Sequence, residues 1–544
     1  MLLVIKSPGM ASAKTSVSHP LKINPVSIPD GGGKIGLTFC PGKKHVGSYS
    51  GKWDREIGLD LEQVKAFGAK ALVTLMEGHE LEAVKVPVAL LAERAKECGL
   101  EWHHLPIKDV NVPDERFEDL WTYSGLRLRS ILVRGDNIVV HCLGGLGRTG
   151  TIGARLLVEF GDEPEVAIKR IREARPNSIE TQAQEQYVKH CRPVTCARVV
   201  GAPEERVLAC LLGGAIGDGF GYEVEFRDLS AIRERFGHAG IRTPVLHKGK
   251  LVVSDDTQMT LFTLEGLLAS LKHGAECLDF VIPSVREAYL DWYQTQVGGK
   301  TSAVRGGWLI HQQVMRVQRA PGNTCMSALR AGGNGSMQKP ANDSKGCGGA
   351  MRTAPLGLVP SIDAGTAFRL GAEAAALTHG HPSGYLSGGM VAALVRSLID
   401  GTALTRRPGT YSDGAIDKCW GTMRTYNNHD ETLQAIEKAL NLAATGVKEH
   451  PEGMGGLGGG WVGEEALAIA LYSVLFAESF VEAISIAANH SGDSDSTASI
   501  AGQLWGAAHG LAGMPHEWVT SLDVLVPLLH LGRELLSSCY RTAH

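Results

Sequence analysis

The chain lacks any apolar run approaching the roughly 20 residues needed to span a bilayer, and the apolar stretch of its opening, MLLVIKSPGM, is too short for a secretory signal. The two absences exclude a membrane-embedded protein and point to a soluble, cytoplasmic one. Charge of one sign is also lacking. With 54 Lys and Arg against 58 Asp and Glu, the formal net charge is -4, so nothing pulls the whole molecule toward nucleic acid or an anionic membrane. The 11 cysteines include no C-x2-C pair and are odd in number, which excludes a complete disulfide frame and a cysteine zinc site and implies free thiols in a reducing compartment. Apolar content is plentiful: 544 residues at 44% hydrophobic can bury more than one core.

From about Gly36 to His190, short β-branched runs (Ala71 to Leu75, Ile138 to Val140) alternate with helical stretches (Leu81 to Cys98, Pro164 to Ala174), which predicts an α/β domain with a mostly parallel sheet. Residues 1–35 read as an N-terminal extension. Prolines and weak periodicity then mark a linker over residues 191–204. Beyond it, Ala- and Leu-rich stretches such as Arg206 to Ile216, Thr260 to Lys272, Gly388 to Leu398 and Ser496 to Gly510 predict an all-α domain over residues 205–544.

The run IVVHCLGGLGRTG places Cys142 and Arg148 at opposite ends of a glycine-rich loop after a β-branched strand. Gly145, Gly147 and Gly150 also satisfy G-x-G-x-x-G, a weak match to a dinucleotide site. The Cys142 to Arg148 spacing is more restrictive. A loop that closes onto a helix N-terminus turns its N–H groups inward, where they favour a thiolate and a bound phosphate. Gly144, Gly145 and Gly147 would line that cradle, and Arg148 offers a planar two-pronged donor to phosphate oxygens. Thr149 is placed to assist breakdown of a phosphocysteine. An acid must protonate the leaving oxygen; Asp109 in HHLPIKDVNVPDERF is the first choice and Asp114 the second.

HCLGGLGRTG, HHLPIKD, LTFCPGKK and ARPNSIETQAQEQY together resemble the cysteine-dependent dual-specificity phosphatases of the kinase-associated type, over about 155 residues. The resemblance implies Cys142 as nucleophile, Arg148 as phosphate clamp and Asp109 as general acid. It also implies that Gln182 or Gln186 positions the hydrolytic water.

Three acidic clusters lie in the second domain: GGAIGDGFGYEVEF, SDDT (Ser254 to Thr257) and GDSDST (Gly492 to Thr497). Neighbouring carboxylates repel unless a cation neutralises them, so convergence on a hard divalent metal would account for all three. Helix capping by single aspartates is the simpler alternative. GDSDST is not a calcium loop, since Ala498 and Leu504 stand where glycine and glutamate would be required.

These clusters, with GCGGAMRTAPLGL, THGHP and GWVGEEALAIALY, resemble the ADP-ribosylglycohydrolases in order over residues 205–515. The resemblance implies an all-α fold holding two Mg (or Mn) ions, with Ser254, Asp255, Asp256, Asp493, Asp495 and Ser496 as ligands and Glu225 as an acidic partner. Gly348, Gly349, Ala350 and Met351 would bring backbone N–H groups to the diphosphate. His379 and His381 would lie near the distal ribose or the scissile bond, and Arg352 would pair with a structural carboxylate or with ligand. Acceptor specificity is expected between Trp292 and Met337, which includes RAPGNT.

The chain thus reads as a bifunctional hydrolase acting on ADP-ribosylated and phosphorylated protein, arginine-linked ADP-ribose favoured, with ADP-ribose as a product and no membrane or nucleic-acid partner. Serine-linked or small-molecule ADP-ribose conjugates, and an ADP-ribose reader without turnover, are the alternatives.

Overall fold

A computed structural model of the chain describes residues 13–45, 51–195, 197–274, 278–298, 306–405, 413–445 and 456–540. The chain divides into two compact units between Val200 and Gly201, and each is described separately.

In the first unit the apolar run Ile138 to Val140 is fully buried and forms the middle of a sheet. The strands in chain order are β1 (Asn24–Ser27), β2 (Lys34–Phe39), β3 (Lys44–His45), β4 (Trp53–Asp54), β5 (Ala69–Thr74), β6 (Glu101–His104) and β7 (Asn137–Cys142). Five of them make one sheet in the order β1-β2-β7-β5-β6, while β3 and β4 pair separately. Within the five-stranded sheet β1 is antiparallel to β2, while β2, β7, β5 and β6 run parallel. The register sets Phe39 beside Cys142 and Thr74 beside His141, so the C-terminal ends of three parallel strands gather around the cysteine, the edge where open α/β sheets bind ligands.

Two sequence expectations change here. The stretch read as an extension contains β1; four residues with a proline carry too little periodicity to announce an edge strand. The helix expected over Leu81 to Cys98 is two helices, Gly78–Ala83 and Val88–Glu97, separated where Lys85 takes φ 62° and Pro87 ends continuity. Among the described cysteines, nine are free thiols.

The second unit is helical, with only isolated β-bridges among its described residues. Its first helix, Pro203–Tyr222, packs along Ser494–His509 through a seam of small residues. A Cβ on Gly217 would lie 2.0 Å from the Ala498 carbonyl oxygen, one on Gly213 2.3 Å from that of Gly502, and one on Gly221 2.1 Å from that of Ser494. Glycine at these positions lets the two backbones touch and fixes the registry of the helix ends. The C-terminal end of one helix therefore lies beside the N-terminal end of the other. No described helix of the chain is long and apolar enough to cross a membrane.

Candidate active sites

Cys142 ends β7, and the chain turns through Leu143 to Leu146 into the helix Gly147–Glu159. Gly145 makes the turn at φ 73°, where a Cβ would lie 2.2 Å from the Thr38 carbonyl oxygen. Its N–H donates to Cys142 Sγ at 3.2 Å. Cations tie back the loop's carbonyls: Arg175 donates to Gly144 O at 3.0 Å and to Gly145 O, and Lys43 Nζ to Leu143 O at 3.2 Å. Lys43 is buried against Phe39 and Trp53, and that burial lowers it to about 8. Gly144 is exposed at the loop tip, and Gly147 lies under Glu180 and Gln184.

Arg148 is buried and held on three sides. Glu80 accepts from its Nη1 at 2.6 Å and its Nη2 at 2.8 Å, Ile107 O accepts from Nη1 at 2.9 Å, and Asp109 Oδ1 lies 2.9 Å from Nη2. Burial works to raise the Glu80 carboxyl, but hydrogen bonds from Arg148 and the Glu77 amide outweigh it and hold it below the usual range. Asp109 thus reaches the phosphate loop through its ion pair, although its side chain is 64% exposed. Asp114 instead caps the helix Glu115–Val133, accepting from Phe117 N at 2.9 Å. The Thr149 hydroxyl is buried without a protein hydrogen-bond partner. His141 is buried, bonds Thr74 Oγ1 at 2.8 Å through Nε2, and is driven by burial down to about 3, so it is neutral.

Gln182 and Gln186 are exposed on their helix. The buried glutamine is Gln184, which lies against Gly147, accepts from the Glu180 amide at 3.0 Å and donates to Asn111 O in the Asp109 loop at 3.2 Å. Sequence reasoning missed Gln184, Glu80, Lys43 and Arg175. All but Glu80 lie inside the quoted motifs, and Glu80 carries no local signal.

In the second unit the three acidic clusters come together at helix ends. Ser254 caps the helix Asp255–Leu271, its Oγ accepting from Asp256 N at 3.1 Å. Asp493 caps Ser494–His509 through Ser496 N at 3.2 Å, and Asp495 accepts from the same amide at 3.0 Å. Asp218, unassigned by sequence reasoning, accepts from Ser254 N and Thr257 N at 2.9 Å each and so ties the first helix to the SDDT turn. Capping and convergence are therefore not alternatives at the third cluster, where Asp493 does both, while at SDDT the cap is Ser254 and not an aspartate.

Burial and mutual repulsion both act on these carboxyls. Burial first, and then the neighbouring carboxylates, raise Asp255 to about 8 and Glu225 to about 9, and push Asp256 and Asp495 well above the usual carboxylate range. Burial alone lifts Asp218, to about 6, against its hydrogen bonds. Asp256 Oδ2 is buried with no protein partner. The RAPGNT stretch abuts this cluster: Asp255 N donates to Arg319 O at 3.0 Å, and Gly322 N to Asp255 Oδ2 at 3.2 Å.

Cys347 donates its thiol to Asp493 Oδ2 at 2.9 Å, which sets the short helix Cys347–Gly349 beside the acids. The Ala350 and Met351 amides both donate to Cys347 O, at 2.7 and 3.2 Å, so they are engaged within the short helical turn and do not face a diphosphate. His379 packs on Gly348, bonds Thr378 Oγ1 at 2.9 Å and is lowered by burial to about 3. His381 caps the helix Pro382–Ile399 through Ser383 N at 3.2 Å. Arg352 is fully buried over the Tyr289 ring and donates to Thr378 Oγ1 at 2.6 Å and to Cys325 Sγ at 3.2 Å; no carboxylate is among these partners.

The ADP-ribosylglycohydrolase family matches residues 201–543. The chain belongs to that family. Ahead of the glycohydrolase unit, residues 57–188 match the Swiss Army Knife protein, DSP-PTPase phosphatase domain, and both domains are of hydrolase families. The phosphatase part is similar to human cyclin-dependent kinase inhibitor 3, 31% identical over 173 residues, 30% of this chain and 74% of that protein. The glycohydrolase part is similar to the ADP-ribosylhydrolase ARH1 of Dictyostelium discoideum, 25% identical over 366 residues, 57% of this chain and 88% of that protein. A shorter similarity, 42% over 71 residues, is to the ADP-ribosylarginine hydrolase Tri1 of Pseudomonas putida and covers 13% of this chain and 19% of that protein.

Proposed function

We propose that the glycohydrolase unit removes ADP-ribose from protein side chains, arginine-linked first, in a metal-dependent reaction, and that the phosphatase unit hydrolyses phosphomonoesters through Cys142. The observation that carries the first half is the convergence of Asp218, Glu225, Asp255, Asp256, Asp493 and Asp495, carboxylates that burial and mutual repulsion make costly to hold together without cations. The donors fit hard divalent metal: they are carboxylate and hydroxyl oxygens, and Asp256 offers a buried oxygen that the protein leaves unpaired.

Ser254, Asp255, Asp256, Asp493, Asp495 and Ser496 would hold two Mg or Mn ions. Bound there, the ions supply a Lewis-acid clamp for the vicinal ribose hydroxyls and a water. Glu225, half-buried beside them, is the carboxyl placed to exchange a proton with the attacking water at an oxocarbenium-like anomeric carbon. Gly348, Gly349 and His379 line the substrate side. The arginine preference rests on the similarity to an ADP-ribosylarginine hydrolase over 71 residues.

In the phosphatase unit the Cys142 thiolate attacks phosphorus while Arg148 holds the equatorial oxygens, with the amides of the Gly144 to Gly147 loop around them. Asp109 gives a proton to the leaving oxygen. Water then opens the phosphocysteine, helped by Thr149 and by Gln184, which bridges the loop and the acid segment. Thiolate chemistry of this kind suits a reducing compartment such as the cytoplasm. The targets are protein side chains carrying phosphate, ADP-ribose or both.

The test is to incubate the protein with arginine- and serine-ADP-ribosylated peptides, with and without magnesium, and to follow free ADP-ribose by mass spectrometry. Magnesium-dependent release from the arginine peptide is expected. Release from serine alone would move the linkage, and binding of ADP-ribose with no release from either would make the unit a reader.

A further inference from the structure

Two large aromatic side chains of the second unit stand in solvent and hold each other. Phe226 is 69% exposed and Trp461 is 44% exposed, yet their rings stack with centroids 5.4 Å apart and planes 21° from parallel. Apolar side chains gathered into one exposed patch, unlike those scattered singly, mark interaction and ligand surfaces. Both residues are anchored at the acidic cluster. Phe226 directly follows Glu225 on the turn that closes the first helix, with Glu225 N donating to Gly221 O at 3.0 Å. Trp461 O accepts from Cys347 N at 3.2 Å, and the same Cys347 donates its thiol to Asp493. Gly460, next to Trp461, lies so near Asp493 that a Cβ there would sit 3.6 Å from the aspartate's own. Phe226 also takes φ 60°, a backbone region that bulky residues rarely occupy.

We propose that Phe226 and Trp461 form the acceptor subsite of the glycohydrolase centre, a platform that receives the planar cation of an ADP-ribosylated arginine; this rests on the arginine-linked reading above. Aromatic faces are electron-rich, and a guanidinium stacks flat on them. A neutral acceptor gains no such contact. The platform therefore contributes affinity for the departing side chain while the chemistry at the anomeric carbon stays with the acids.

The test uses the full chain with magnesium and three readouts: kinetics on an arginine-ADP-ribosylated peptide, affinity for free ADP-ribose by calorimetry, and inhibition by agmatine as a guanidinium probe. Phe226→Ala and Trp461→Ala are expected to raise KM about fivefold and weaken agmatine inhibition by a similar factor, as loss of a partly exposed cation–aromatic contact requires. They should leave kcat and ADP-ribose affinity near wild type, and Trp461→Phe should restore KM. An unchanged KM in both alanine variants overturns the proposal. A fall in ADP-ribose affinity in step with KM also overturns it, because the platform then holds the nucleotide. Wild-type protein that binds ADP-ribose but leaves the arginine peptide intact refutes the linkage reading itself, and the platform's ligand with it.

Discussion

Replacing Gly217 by alanine should weaken the second unit and its chemistry together. The added Cβ would lie 2.0 Å from the Ala498 carbonyl oxygen and 2.5 Å from its carbon, where non-bonded contacts normally need about 3.5 Å. Both obstructing atoms are backbone, so no rotamer change relieves them, and the helices Pro203–Tyr222 and Ser494–His509 must part by about 1 Å or more. Overpacking of this kind costs roughly 1–3 kcal/mol, against a gain of about 1 kcal/mol in helix propensity over glycine. The upper end of the cost applies because the clash is with main chain, which leaves a net loss of about 2 kcal/mol. Hydrogen exchange reads it locally: protection along the two helices should fall about thirtyfold. ADP-ribose release should fall as well, since this seam sets Asp218 and Glu225 against Asp493 and Asp495, and a displacement of about 1 Å at such a site costs on the order of 100-fold. Gly421, exposed in the helix Ala415–Met423 with open space around its Cα, is the control. Alanine there should stabilise slightly. Unchanged protection in Gly217→Ala, or an equal effect at Gly421, would refute the seam as the element that aligns the acids.

Asp109→Asn should lower kcat on an alkyl phosphate by about 10²–10⁴ while sparing para-nitrophenyl phosphate, whose leaving group needs no proton. Asp114→Ala should do the reverse, leaving kcat intact and costing about 1 kcal/mol of helix stability, because its side chain caps the helix at Phe117 N. Glu80→Gln, which loosens the two-pronged hold on Arg148, should reduce kcat/KM for phosphate esters about tenfold, and steady-state kinetics would show no change if Arg148 were held by other means. In the glycohydrolase unit a cation must displace protons from raised carboxyls such as Asp255, near 8, and Glu225, near 9, so magnesium affinity by calorimetry should climb from pH 6 to pH 9. For folding without metal the same raised carboxyls work in the opposite direction: their stability is full below the ordinary carboxylate range near 4 and is lost as pH rises through about 8 and 9. Cation affinity that fell or stayed flat over this range would contradict the cluster's electrostatics.

The sequence carried the phosphate loop because strand, cysteine, glycines and arginine are consecutive, and local order alone places them. The helices of the second unit were legible for a similar reason, as long Ala- and Leu-rich stretches. What escaped is what depends on residues distant in the chain. Glu80 reaches Arg148 across 68 positions, and nothing around it marks a clamp. Gln184 differs from its neighbours Gln182 and Gln186 only in which face of one helical turn it occupies. Asp218 looked like part of an acidic run until Ser254 and Thr257 came to donate to it. The amides of Ala350 and Met351 could not be assigned from glycine content, because a short helical turn directs them onto Cys347 O.

On the proposed function one chain carries two hydrolytic centres, one resting on a thiol and the other on a cluster of carboxylates. A crossed assay tests it most directly: wild type, Cys142→Ser and Asp256→Asn, each given a phosphorylated peptide and an arginine-ADP-ribosylated peptide with magnesium, with phosphate and ADP-ribose measured in the same reaction. Cys142→Ser is expected to lose phosphate release and keep ADP-ribose release, and Asp256→Asn to do the converse. Loss of both products in either variant, or ADP-ribose release that survives in Asp256→Asn, would contradict it.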